Sequence, residues 1–219
     1  MKGSRSLLAA GIISSLAGCG GGTDGVMEPI PAPRSWAERT TEERRQKDEQ
    51  FKTDPASPLL PGDLPTFRGL SYWPPDPSYR FVGRLHVNER PERFTILTTS
   101  GKPRPCEKYG EVRFLLQGTE CTLQVYRLLD TEPLPGVSRL FLPFTDGTTG
   151  KETYVAGRYV SLEGPQDGPF LLDFNRASNP WCAYGAPDRF ACPVAPAENR
   201  LPVRVEAGER AFKETRGRG

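Results

Sequence analysis

The stretch RLFLPFTDGTTGKETYVAGRYVSLEGPQDGPFLLDFNRASNPWCAYGAPDRFACPVAPAEN, running from Arg139 to Asn199, decides the fold. Short runs at Leu140–Phe144, Tyr154–Val160 and Phe170–Phe174 are rich in aromatic and β-branched residues, and turn-forming Gly, Pro, Asp and Asn separate them. Working outward, the same strand signal recurs at Arg80–Val87, Phe94–Thr99, Glu111–Gln117, Cys121–Leu128 and Leu201–Glu206, with hairpin turns expected at Ser100-Gly101 and Gly118-Thr119. About eight or nine strands joined by short connections, with no alternation of strand and helix, predict an antiparallel β-sandwich or barrel-like sheet rather than a parallel one. The 23 prolines and 23 glycines exclude a helical bundle, while 21 aromatic residues supply core surface despite a mean hydropathy of −0.53.

The start of the chain is of a different kind. Lys2 and Arg5 precede an apolar run, Leu7 to Leu16, that is too short to span a bilayer and reads as an export signal. Leu16-Ala17-Gly18-Cys19 resembles the bacterial lipobox, which implies cleavage after Gly18, lipidation of Cys19 with acyl chains such as palmitate, and a membrane-anchored lipoprotein. Because Gly20 rather than Asp follows the cysteine, the resemblance implies the outer membrane, facing the periplasm, in a diderm cell. The expected organisation is residues 1–18 as signal peptide, 19–34 as a flexible tether, 35–210 as one β-rich domain and 211–219 as a frayed tail. Two of the 29 basic residues lie in the signal, leaving 27 against 27 acidic ones, so nothing draws the mature chain to nucleic acid.

Ser35 and Glu38 stand at capping-box spacing and predict the start of the N-terminal helix, which Asp54-Pro55 ends. With Trp36 and Phe51 as its few apolar residues, the helix reads as pinned at both ends, its charge run a solvated face.

The polar residues of the opening stretch are the candidate chemistry. Thr145-Asp146-Gly147-Thr148-Thr149-Gly150-Lys151 looks like a phosphate loop, but only Thr148 and Thr149 separate its glycines and Glu152 follows the lysine, so a hairpin turn stapled by Asp146 is expected instead. Counting by two places Arg158 opposite Tyr159 and Gly157, and an inward arginine needs a carboxylate, with Asp173 or Glu152 expected. Asp173 and Asn175 share a face, and Asn179, Trp181, Cys182 and Tyr184 follow in a loop. Asp146, Glu152, Arg158, Asp173, Asn175 and Asn179, with Trp181 and Tyr184 as walls, are therefore the ligand-binding candidates. A non-catalytic module binding a small polar or anionic molecule or an envelope partner is one reading. A hydrolase using Asp173 or Asp146 as base, with Arg158 or Asn175 holding negative charge, is the other. There is no Gly-x-Ser-x-Gly elbow, and His86 is the sole histidine, so neither a serine triad nor a cofactor or metal motif is legible. Four cysteines remain beside Cys19; Cys182 with Cys192 would close a short loop, leaving Cys106 for Cys121.

The blocks LPFTDGTTGKETYVAGRYV, LDFNRASNPWCAY and CPVAPAEN, together with SPL, FRGL and YWP upstream, resemble the DUF1684 family over about Trp36 to Glu209. The resemblance implies a single domain and carries no activity with it.

Overall fold

The computed structural model describes residues 25–130, 140–163, 168–185 and 189–212. It is mainly β with one long helix, α1 (Trp36–Thr53), and two antiparallel sheets, and no barrel closes among the described residues. The strands are β1 (Arg80–Gly83), β2 (His86–Ile96), β3 (Arg104–Leu116), β4 (Thr119–Leu128), β5 (Leu140–Phe144), β6 (Arg158–Val160), β7 (Leu162–Glu163) and β8 (Phe170–Asp173). One sheet runs β2-β3-β4-β5-β6 and the other β1-β8-β7.

Alternation along the central hairpin makes the core. Val112, Phe114 and Leu116 on β3 and Cys121, Leu123 and Val125 on β4 are buried, and with Phe81 of β1, Phe144 of β5, Leu172 of β8 and Phe174 they form one cluster drawn from both sheets. The hairpin turns at Gln117-Gly118, one residue before the expected position. Both residues have positive φ, 52° and 75°, as a turn matched to strand twist requires. On the opposite face of the large sheet, Tyr126, Cys106 and Ile96 make a second cluster with Phe94, Leu128 and Phe141 packed against it.

Several expectations change. The run at Arg80–Val87 divides between two sheets, and Tyr154–Val160 is strand only from Arg158, because Gly157 at φ +92° turns the chain where an added Cβ would meet the Phe144 carbonyl oxygen at 2.6 Å. Leu201–Glu206 is not a ladder strand: Val205 N–H donates instead to the Asp146 carboxylate, at 2.6 Å. Asn199 is buried, and its carboxamide bonds both backbone groups of Gln124 and the Pro143 carbonyl, clamping β4 to β5. Part of the segment expected as tether is docked, since Met27 is buried, bridges Phe114 and exchanges hydrogen bonds with Arg113 and Leu115.

Helix α1 starts where the capping box places it, yet the Ser35 hydroxyl caps no amide and takes the Arg39 guanidinium instead. Trp36, Thr40 and Phe51 are its buried residues, the two aromatics pinning it to the domain.

All four described cysteines are free thiols. Cys106 cannot pair with Cys121: in the β3–β4 register they oppose Leu128 and Phe114, seven residues and roughly 23 Å apart along the strand, on opposite sheet faces. A disulfide needs Cα atoms within about 7 Å. Cys182 and Cys192 are neighbours, joined by a hydrogen bond from the Cys182 amide to Cys192 Sγ at 3.3 Å rather than a covalent bond.

Candidate functional site

The predicted site residues do not meet in one hollow. Arg158, 1% exposed, faces inward from β6 and is bound on several sides. Its guanidinium pairs with Asp146 at 3.3 Å and donates to the carbonyls of Val205 at 2.8 Å, Glu209 at 3.1 Å and Ala207. The partner is thus Asp146, neither Asp173 nor Glu152. Asp146 is saturated in turn by Val205 N–H, Thr148 N–H and the hydroxyls of Thr148 and Thr149. Burial, partly offset by Asp146, lowers the Arg158 pKa to about 10.

Asp173 belongs to a second closed knot. It takes Arg80 at 3.2 Å, the Trp36 indole at 3.3 Å, and both the backbone and side-chain nitrogens of Asn175, whose carboxamide then clamps the two backbone groups of Asp76. Asp173 and Asn175 do come together, bonded directly to each other at 2.9 Å, and Asn175 also lines a recess beside α1. Glu152 lies apart, paired with Arg204. Tyr184 is fully buried and donates to Glu209 rather than lining a cavity, and burial pushes its hydroxyl pKa up.

Glu209 is a residue that sequence reasoning missed. Its carboxylate is buried and accepts from Asn179 N–H at 2.9 Å, from Tyr184, from Lys47, and from Tyr72 at 3.4 Å. It backs a recess of about 160 Å³ whose rim includes Arg44 and Lys47 of α1, so the charge run of α1 is not wholly a solvated face. Arg44 is held by the carbonyls of Trp73 and Asn175 and lies over the Tyr72 ring. The residues on each side of this recess lie far apart in sequence, so no local pattern announces it.

A larger cleft, about 500 Å³, adjoins the recess and shares Lys47 and Ser178 with it. Its floor is the outer face of the large sheet: Leu128 from β4, Phe141 from β5 and Tyr159 from β6. Side-chain alternation sends Arg158 into the core and Tyr159 out to this floor, where its ring stands edge-on to Phe141 at 5.9 Å. The walls come from Asn179, Trp181, Phe190 and Cys192. Trp181 is 49% exposed and meets Phe190 edge to face, while the carboxamide oxygen of Asn179 is buried with no hydrogen-bond partner.

Three cations line this cleft, Lys47, Arg104 and Arg189, and no carboxylate does among the described residues. Lys47 and Arg104 are steadied from behind by Glu209 and Asp130. Arg189 donates to the Ser57 carbonyl and lies over the Phe190 ring, and no ion pair accompanies those contacts among the described residues. No cluster of three or more His, Cys, Asp or Glu side chains stands ready for a metal among the described residues. No described helix is long and apolar enough to cross a membrane. Cys19 lies outside the described residues.

The family model that matches, over residues 65–210, is described as a protein of unknown function, DUF1684. Among solved structures, the solution NMR structure of an uncharacterised protein of Haloarcula marismortui is 37% identical, with a TM-score of 0.59, covering 80% of this chain and 94% of that one. No curated protein matches.

Proposed function

We propose that this chain, which belongs to the DUF1684 family, is a lipid-anchored envelope protein whose domain captures a small anionic molecule with a flat apolar body. The observation that carries the binding half is the cation set of the larger cleft: Lys47 and Arg104, each paired with a carboxylate outside the lining, and Arg189 with no ion pair among the described residues, over a floor of Phe141 and Tyr159. A volume of about 500 Å³ suits a small ligand. Aromatic faces take the apolar body by stacking, and Arg189, which lacks a compensating carboxylate among the described residues, attracts the acid group.

A hydrolytic role has less support, because Asp146 and Asp173, the acids it would need as base, are each saturated in a closed knot. The anchoring half rests on the Leu16-Ala17-Gly18-Cys19 motif. From a lipidated Cys19, the chain up to Gly25 can reach roughly 20 Å, which would hold the domain near the bilayer. At least two acyl chains are needed for such an anchor to be stable.

Two measurements test this. Anilinonaphthalene sulfonate, an anionic aromatic probe, is expected to bind with a change in Trp181 fluorescence, and Arg189→Gln to weaken it at least tenfold while leaving the uncharged N-phenylnaphthylamine nearly unaffected. Equal binding of both probes, insensitive to Arg189→Gln, would refute the cationic cleft. Cys19→Ser is expected to abolish palmitate incorporation and release the protein from membranes; an unchanged membrane fraction would refute the anchor.

A further inference from the structure

We propose that Cys182 and Cys192 form a dithiol that reacts with hydroperoxides, Cys182 taking the peroxide oxygen and Cys192 resolving the product to a disulfide. The pair lies behind the cleft wall. Cys182 sits in the short turn Trp181–Tyr184, and Cys192, ten residues on, lines the cleft and so connects the pair to solvent. The Cys182 amide donates to Cys192 Sγ at 3.3 Å, so the two residues are held side by side before any reaction.

What sets this pair apart is the set of thiol and hydroxyl groups around the Cys182 sulfur. Around Cys182 Sγ stand the Cys192 thiol, the Thr99 hydroxyl and, at 3.8 Å, the Tyr154 hydroxyl, and each of the three holds its pKa down. The titratable groups facing it are Cys192, Tyr154 and Tyr159, with Arg104 acting in turn on Tyr159. The Cys192 thiol beside it holds the Cys182 pKa below its ordinary value, while Cys182 and burial raise that of Cys192. Burial raises Tyr154 and Tyr159, which therefore remain neutral donors. Cys106 and Cys121 have no such arrangement: each sulfur is placed against a backbone carbonyl, and burial pushes both thiols up.

The chemistry balances with a hydroperoxide as oxidant. The Cys182 thiolate attacks the outer oxygen of ROOH, the O–O bond breaks, and the alkoxide or hydroxide leaves with a proton from Tyr154 or water, giving Cys182 sulfenic acid and ROH. The Cys192 sulfur then attacks the sulfenic sulfur, an S–S bond replaces the S–O bond, and the hydroxyl leaves as water with the Cys192 proton. Two thiols are oxidised and one peroxide bond is reduced. A small peroxide is required, since Cys192 exposes only 8% and Cys182 3% of its surface.

Hydrogen peroxide on the reduced full-length protein, followed by differential alkylation and peptide mapping, tests this without relying on a variant. The expected result is a crosslink joining Cys182 to Cys192, formed at least ten times faster than oxidation of Cys106 or Cys121, at a rate half-maximal well below the pH of about 8.5 typical of a free thiol. With Cys192→Ser, dimedone is expected to trap a sulfenic acid at Cys182. With Cys182→Ser, Cys192 is expected to stay reduced over the same exposure. Equal oxidation at Cys106 or Cys121, or dimedone capture at Cys192 instead of Cys182, would overturn the proposal. Because both outcomes are read at the sulfur atoms, they do not depend on what the cleft binds.

Discussion

Arg158 and Tyr159 are neighbours on β6, and they mark two regions with opposite uses of polarity. On the inner side, the Arg158 guanidinium is closed off by Asp146 and three backbone carbonyls. On the outer side, Tyr159 forms the floor of an open cleft in which Arg189 carries charge without a described carboxylate to meet it. Both terminal nitrogens of the inner group have their hydrogen bonds made within the chain, only its buried Nε being left without a partner, and so it contributes to the fold. The outer one still has interactions to give to a visitor. The difference shows that burial and charge alone do not mark a site. What matters is whether the chain itself has already supplied the partner.

The knot also stands in for a strand. Residues 203–209 form no ladder, and Arg158 and Asp146 together bind the backbone of Val205, Ala207 and Glu209. The largest effect is therefore expected from Arg158→Leu, which leaves Asp146 as an uncompensated buried charge and strips three carbonyls of their donor. Chemical denaturation should show a loss of about 3–5 kcal/mol. A loss below about 1 kcal/mol would mean that the knot is not what fastens the C-terminal segment.

Trp181→Ala sits in the middle of the range. The side chain is half exposed, so stability should fall by about 1 kcal/mol or less, while affinity for the sulfonate probe drops about tenfold through loss of a stacking wall. If stability fell as much as in Arg158→Leu, the contrast between the two faces of β6 would disappear. The smallest effect belongs to Arg204→Ala. Its pairs with Glu152 and Glu206 lie at the surface, where solvent and salt screen them, and thermal melts should be nearly unchanged.

Much of the fold was legible because the β-pattern is local. The runs around Phe114 and Leu123, the break at Asp54-Pro55 and the opposite faces of Arg158 and Tyr159 can all be read by counting along the chain. Which carboxylate Arg158 would take could not be read that way. The choice depends on where residues 203–209 return, and nothing near β6 encodes that return. Glu209 escaped for the same reason: its four donors come from α1, the Tyr72 segment and the Asn179–Tyr184 turn. Of the cleft, only Asn179 and Trp181 were among the expected site residues, because its floor is built from the outward residues of three strands that look like ordinary half-exposed positions.

An NMR titration with anilinonaphthalene sulfonate compares the two regions in one experiment. The aromatic signals of Phe141 and Tyr159 and the Trp181 indole are expected to move together and saturate, while the Arg158 guanidinium and the Val205 amide stay fixed. Movement centred on Arg158, Asp146 and Val205, with Phe141, Tyr159 and Trp181 unmoved, would contradict the account.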